Sequence, residues 1–195
     1  MAARFGAAGV ARMAMLAELV TGEAARQNLI APSTLPSLWA RHIVDSAQLI
    51  ELAADTGGDW LDIGTGAGFP GVVIACLTDR AVTLVEPRRR RAHFLMEVAK
   101  ALDIAGKTTV LASKVEGVTA SAAVISARAV SSLPQLFQSA VHCSRRKTLW
   151  ILPKGQSARE EIASAEQTWH GVFHVEQSVT DPDSLIVLAK GVSRR

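Results

Sequence analysis

An acid leading into three alternating glycines, Asp62-Ile63-Gly64-Thr65-Gly66-Ala67-Gly68, continues into Phe69-Pro70-Gly71 and is the stretch of this chain best suited to holding a ligand. Glycine reaches backbone angles closed to other residues and lets a ligand lie directly on the main chain. Further along, Glu86 offers a carboxylate able to accept both ribose hydroxyls of an adenosine, an arrangement that neutral side chains imitate less well. Arg128 and Lys154 add two cations, and Gly155 permits close approach beside the second; together they have the character of a substrate clamp.

The elements that must position these residues can be read from periodicity. Short apolar runs at Trp60–Ile63, Ala81–Val85, Thr109–Ala112, Ala123–Ser126 and Thr148–Leu152 predict strands. Helical patterns at Arg88–Leu102, Leu133–Val141 and Ala158–Thr168 separate them, and strand–helix alternation implies a parallel sheet covered on both faces. Val172–Val179 and Leu185–Ala189 follow with only Thr-Asp-Pro-Asp between them, too short a connection for a parallel crossover, so they should pair antiparallel at or near one edge. The glycine turn then leaves the first strand, with Pro70 suited to the first turn of the next helix. Glu86 ends the second strand, and Arg128 and Lys154 lie just beyond the fourth and fifth. In a doubly wound sheet all of these share the carboxyl rim, beside the topological switch point. Before the break at Thr56-Gly57-Gly58-Asp59, apolar faces predict helices at Met13–Arg26, after a ragged start, and at about Leu35–Leu52, with a loop at Ala31-Pro32-Ser33-Thr34 between them. The expected division is a helical extension over 1–54 and a ligand-binding α/β domain over 55–195.

Two ligand classes fit the glycine loop. Gly66-x-Gly68-x-x-Gly71 formally satisfies the dinucleotide fingerprint, with Glu86 as its ribose-binding acid. That reading gives a nicotinamide or flavin oxidoreductase. The strand already ends at Ile63, however, so the turn begins at Gly64, and Phe69 then stands where a third fingerprint glycine belongs. An acid before three alternating glycines suits S-adenosylmethionine, whose amino-acid end is zwitterionic and has no pyrophosphate to seat on a helix N-terminus. A glycine turn used only for packing, or kept as a relic by an RNA-binding protein, is the bland alternative. No Gly-Lys-Ser/Thr follows, so a P-loop is excluded.

Charge adds a second theme. Arg88 to Arg91 form an unbroken basic run at the predicted start of a helix, where the macrodipole disfavours cations. A polyanion approaching the rim would account for the placement, a solvated helix end being the alternative. Arg145, Arg146, Lys147, Arg194 and Arg195 extend the basic inventory at positions the sequence does not locate. His42 and Asp45 share a helical face and read as a local polar pair. His93, His142, His170 and His174 have no metal-ligand or triad spacing, so no metal is expected.

Composition sets the limits. Among 195 residues, 21 Lys or Arg against 18 Asp or Glu give a formal net charge of +3, which alone identifies no partner. The 49% hydrophobic and 20% charged content is that of a globular chain. Cys76 and Cys143 stand apart without ligand-spaced neighbours, so neither a disulfide framework nor a zinc site is supported, and a reducing cytoplasm is expected. The longest unbroken apolar run, Gly71–Leu77, is far short of the roughly 20 residues a bilayer requires. Arg12 and Glu18 interrupt the N-terminal apolar stretch, which argues against a targeting peptide.

Over nearly its whole length the chain resembles the glucose-inhibited division protein B family, the RsmG-type 16S ribosomal RNA guanine-N7 methyltransferases. The resemblance rests on Asn28-Leu29, Arg41-His42-x-x-Asp45-Ser46, Leu61 to Gly71, Leu84-Val85-Glu86 with the basic stretch and Phe94-Leu95, Val115-Glu116, Ser126-Ala127-Arg128-Ala129, and Lys154-Gly155. It implies a class I methyltransferase fold, with S-adenosylmethionine against Asp62, Gly64, Gly66, Gly68 and Phe69, Glu86 near the ribose and Val115-Glu116 beside the adenine. It also implies Arg128 at the cofactor and substrate site, Lys154 acting on RNA, and RNA contacts from Arg88, Arg89 and Lys114. Family members often have Arg where Lys114 stands, so the charge is kept but the planar fork is lost. The implied reaction is methyl transfer to N7 of a guanine in the 530 loop of 16S ribosomal RNA, by a cytoplasmic monomer acting on a small-subunit particle and independent of any membrane. Guanine N7 carries an in-plane lone pair and needs no deprotonation, in keeping with the absence of a triad.

Overall fold

In the computed structural model, which describes residues 2–195, the period-2 pattern of the central strands is realised as two cores, one on each face of a sheet. In β1 (Trp60–Ile63), Trp60 joins one core while Leu61 and Ile63 join the other. In β5 (Ser144–Lys154), Leu149 and Ile151 face the first core and Trp150 and Leu152 the second. The remaining strands are β2 (Val82–Val85), β3 (Thr108–Leu111), β4 (Ala122–Ala127), β6 (Trp169–Gln177) and β7 (Leu185–Arg194).

The sheet has seven strands in the order β3-β2-β1-β4-β5-β7-β6. β1 to β5 pair in parallel, whereas β7 runs antiparallel to both β5 and β6. The reversed strand therefore lies next to the edge, as expected. The order turns back between β1 and β4, which opens a crevice at their carboxyl ends. Helices α3 (Gly71–Leu77) and α4 (Arg89–Ala101) contribute Val72, Ile74, Leu95 and Val98 to the first core. Helices α5 (Leu133–Ala140) and α6 (Ala158–Glu166) contribute Leu133, Phe137 and Ala165 to the second. Cys76 and Cys143 are buried in opposite cores.

The N-terminal third departs from its sequence reading in detail. Instead of a ragged start, α1 (Ala2–Ala24) is helical from Ala2, with a non-helical break at Gly6 (φ 68°, ψ 176°). Alanines at 7, 8 and 11 supply the helix propensity that an apolar-face count overlooks. Within Ala3–Ala24 a stretch of 18 residues reaches a mean hydropathy of 1.2, and by length and composition alone this helix could cross a bilayer, contrary to the expectation drawn from unbroken runs. Arg12 interrupts those runs without lowering the average far. Here Met13, Leu16 and Val20 are fully buried in the first core. Pro32–Ser37 winds into a 3-10 turn rather than a plain loop. The second helical segment is composite: a π turn over Trp39–Val44 leads into α2 (Asp45–Leu52). π turns occur often at functional sites, and this one carries residues of the crevice.

Candidate active site

The turn after β1 is built by its glycines. Gly64, Gly66 and Gly68 all have positive φ (68°, 59° and 109°), a region that excludes most side chains. The turn is tied to β2 through Val85 O, which accepts the amides of Gly64 at 2.8 Å and Thr65 at 3.2 Å. Gly71 has a different task. A Cβ there would lie 2.3 Å from Leu84 Cδ2 and 2.7 Å from Asp62 Oδ2, so only glycine lets α3 pack this closely on the sheet.

Both acids of the loop are engaged with protein. Asp62 is fully buried; its Oδ2 accepts the Gly71 amide at 3.0 Å and its Oδ1 the Ser126 hydroxyl at 2.6 Å. Burial raises its pKa to about 6, against the opposing pull of hydrogen bonds from Ser126, Thr65 and Gly71. Glu86 is buried as well, accepting the Gly66 amide at 3.0 Å and the Arg88 amide at 2.9 Å. Its carboxylate thus fastens the middle of the glycine turn to the end of β2.

A cavity of about 730 Å³ opens at the crevice. Gly64, Thr65, Gly66, Ala67 and Phe69 form one wall; Arg128 to Ser131, Pro153 and Lys154 form the other. Leu29, Ile30, Thr34, Arg41, His42 and Asp45 come in from the N-terminal segment, and Ser178 and Ser184 from the β6–β7 turn. Of the residues singled out in the sequence, Gly64, Gly66, Phe69, Arg128 and Lys154 are brought together on this lining. Asp62 and Gly68 lie beneath it, and Glu86, Val115 and Glu116 lie off it, beyond the ends of β2 and β3.

Arg128 gathers the N-terminal contacts. Its Nη1 donates to Arg41 O at 2.9 Å and meets Asp45 Oδ2 at 3.3 Å; its Nη2 lies 2.8 Å from His42 Nδ1. Arginine only donates, so His42 accepts at Nδ1 and carries its proton on Nε2, which points to Thr34 Oγ1 at 3.1 Å. Burial and then the Arg128 charge lower the His42 pKa to about 4, so the ring is neutral at physiological pH. Phe69 stacks on the His42 ring at 5.1 Å and lies 5.6 Å from the Arg128 guanidinium. His42 and Asp45 are therefore not an isolated polar pair, as their spacing suggests, but part of the site. The sequence signal is Arg41-His42-x-x-Asp45 itself; what it lacks is the long-range packing that sets α2 against the end of β4.

Lys154 is tied within the opposite wall. Its ammonium sits 2.9 Å from Glu161 Oε2 and 2.5 Å from Ser131 O. Glu161 also accepts the amide of Leu133 at 2.8 Å, joining the start of α5 to α6.

The basic run divides in two. Arg90 and Arg91 donate to the carbonyls of Arg26 and Asn28 and so hold the N-terminal segment across the rim. Arg88, Arg89 and Lys114 are exposed. Arg145 pairs with Asp59 at 3.7 Å, at the amino ends of the strands, which sets that basic cluster at the far end of the sheet from the crevice.

A family profile described as rRNA small subunit methyltransferase G matches residues 10–183. The ribosomal RNA small subunit methyltransferase G of Novosphingobium aromaticivorans is 47% identical over 187 residues, covering 94% of this chain and 81% of the relative. The chain belongs to this family. Within the rRNA small subunit methyltransferase G family, the Zymomonas mobilis member is 46% identical, covering 86% of this chain and 79% of that one. The fold is the class I methyltransferase fold. A glycopeptide N-methyltransferase, MtfA, solved with S-adenosyl-L-homocysteine, superposes with TM-score 0.63 at 10% identity, over 76% of this chain and 89% of that chain. Nothing in these matches supports the oxidoreductase alternative.

Proposed function

We propose that this chain transfers a methyl group from S-adenosylmethionine to N7 of a guanine in the 530 loop of 16S ribosomal RNA, within a small-subunit particle. The observation that carries this reading is the joining of a glycine turn, fastened at Gly66 by the Glu86 carboxylate, and Arg128 around one 730 Å³ crevice. Family membership and the S-adenosyl-L-homocysteine in the MtfA structure support it.

The residues fit the cofactor. A Cβ on Gly66 would meet nothing nearer than 3.7 Å, so the turn keeps backbone free for a ligand to lie on. Arg128 suits a carboxylate end by its fork of donors. Gly66 and Arg88 use two of the roughly four lone-pair positions of the Glu86 carboxylate, leaving acceptors for ribose hydroxyls. Val115 and Glu116, beyond β3, are assigned to the adenine. Asp62 and Gly68 act from below, by holding the turn. When bound, S-adenosylmethionine supplies a methyl group on a sulfonium, open to one in-line displacement.

The protein's own work is then alignment, which can supply roughly 7–11 kcal/mol of a barrier. No side chain has to remove a proton from N7. The neutral His42 and the Phe69 ring fix the angle of Arg128. Lys154 is assigned to the RNA side of the crevice, with Arg88, Arg89 and Lys114 on phosphates outside it. In A-form RNA the groove displaying N7 is too narrow for side chains, so the target guanine is taken from an accessible loop. Residues 1–54 are assigned as a helical extension that closes the crevice of the catalytic domain, 55–195. The enzyme acts as a cytoplasmic monomer without a membrane.

Calorimetry tests the cofactor. Binding of S-adenosylhomocysteine, with no heat from NAD or FAD, is expected; binding of a dinucleotide in its place would overturn the reading.

A further inference from the structure

Asp45 lies at the junction of three parts of the chain. Its Oδ2 meets Arg128 Nη1 at 3.3 Å, beyond β4. Its Oδ1 accepts Gln48 Nε2 at 2.8 Å on its own helix and the Thr180 hydroxyl at 2.9 Å from the β6–β7 turn. Ser178 Oγ lies 3.3 Å from the same oxygen and 2.9 Å from Thr180 Oγ1. The turn is pinned to α2 a second time, where Gln48 Oε1 accepts the Val179 amide at 3.0 Å. A single carboxylate therefore offers one oxygen to the cation in the crevice and has the other fixed by a segment more than 130 residues away in sequence. A carboxylate needed only as a counterion would not require its second oxygen held by two elements, because a freely rotating group screens a guanidinium equally well.

We infer that Asp45 is a positioning residue for Arg128, and that the Ser178–Thr180 turn sets its orientation through Asp45. The inference rests on the assignment of Arg128 to the carboxylate end of S-adenosylmethionine. Arg128 has no other acidic partner among the described residues. Its other contacts, to Arg41 O and His42 Nδ1, lie on the π turn just before Asp45. Seating the β6–β7 turn on α2 thus fixes all three acceptors of the guanidinium together. Thr180 does not touch Arg128 and is not itself on the crevice lining, which it meets through Asp45 and Ser178; the path from its hydroxyl to Arg128 runs through Asp45.

The test is a double-mutant cycle read by calorimetry with S-adenosylhomocysteine on the full chain, with thermal melting as a check on the fold. Arg128→Ala, Asp45→Asn and Thr180→Val are each expected to weaken binding. The expected losses are about fiftyfold, about tenfold and about threefold, within the span of measured coupling energies. In the Arg128→Ala background, Asp45→Asn and Thr180→Val should each add less than about twofold, because the group they orient is gone. If either substitution weakens binding equally with or without Arg128, Asp45 acts on the fold or on the ligand directly and the inference fails. If Arg128→Ala alone leaves affinity unchanged, the assignment of Arg128 is wrong and the inference falls with it. Thr180→Val keeps the test decisive should Asp45→Asn fail to fold: a Thr180→Val affinity equal to that of the unaltered protein overturns the relay.

Discussion

Oδ2 of Asp62 accepts the amide of Gly71 at 3.0 Å, and a methyl group at position 71 would stand 2.7 Å from that same oxygen. One contact thus ties the glycine turn to the sheet and forbids a side chain at the start of α3. Gly71→Ala is expected to lower stability by about 1–3 kcal/mol, the ordinary cost of overpacking, and to weaken S-adenosylhomocysteine binding as the turn shifts. Gly66→Ala meets no such clash and should cost about 1 kcal/mol, the penalty of left-handed backbone. Urea denaturation of both variants checks the order.

Opposite slopes of stability against pH follow from the half-buried His42 and the fully buried Asp62. The His42 pKa is lowered to about 4, so between there and its ordinary 6.5 the unfolded chain binds more protons. Stability from His42 therefore falls as pH drops through that window. The Asp62 pKa is raised from 3.8 to about 6, so its contribution is full below 3.8 and lost as pH rises towards 6. Denaturation at stepped pH should show the protein gaining on His42→Gln as pH rises from 4 to 6.5. Against Asp62→Asn it should lose ground from 3.8 to 6.

Glu86 fastens Gly66 and Arg88 and keeps acceptors free. Glu86→Ala is expected to weaken S-adenosylhomocysteine binding by at least about tenfold, or about 1.4 kcal/mol. Glu86→Gln, which retains one acceptor oxygen, should lose less. Equal losses in calorimetry would mean that only the bulk of the side chain matters.

The basic run is expected to separate by task. Arg88→Ala with Arg89→Ala should weaken binding to small-subunit particles and reduce the salt slope by about 1 for each phosphate no longer neutralised, leaving S-adenosylhomocysteine affinity alone. Arg90→Ala with Arg91→Ala should instead free the 26–28 segment, read as faster proteolysis there. Filter binding across a salt series and limited digestion distinguish the two pairs.

Where local patterning governs the chain, the sequence predicts it closely: β1 is read with its observed ends, and the antiparallel reversal follows from the short Thr-Asp-Pro-Asp connection. β5 runs longer than its apolar run because Arg145 to Lys147 are strand residues facing solvent, and Lys154 is its last residue rather than one beyond it. The glycine turn, Arg128 and Lys154 reach one crevice because the rule of the carboxyl rim is topological. His42 and Asp45 read as a local pair in the sequence because their partners Arg128, Ser178 and Thr180 are brought to them only by tertiary packing. Glu86 reads as facing a ribose, whereas its first partners are amides of the protein's own loop.

The central claim is tested most directly by mapping N7-methylguanine along 16S ribosomal RNA from cells with and without this gene. Loss of one modified guanine in the 530 loop is expected, restored by the intact gene and not by Arg128→Ala. An unchanged methylation map in the deletion strain would contradict the account.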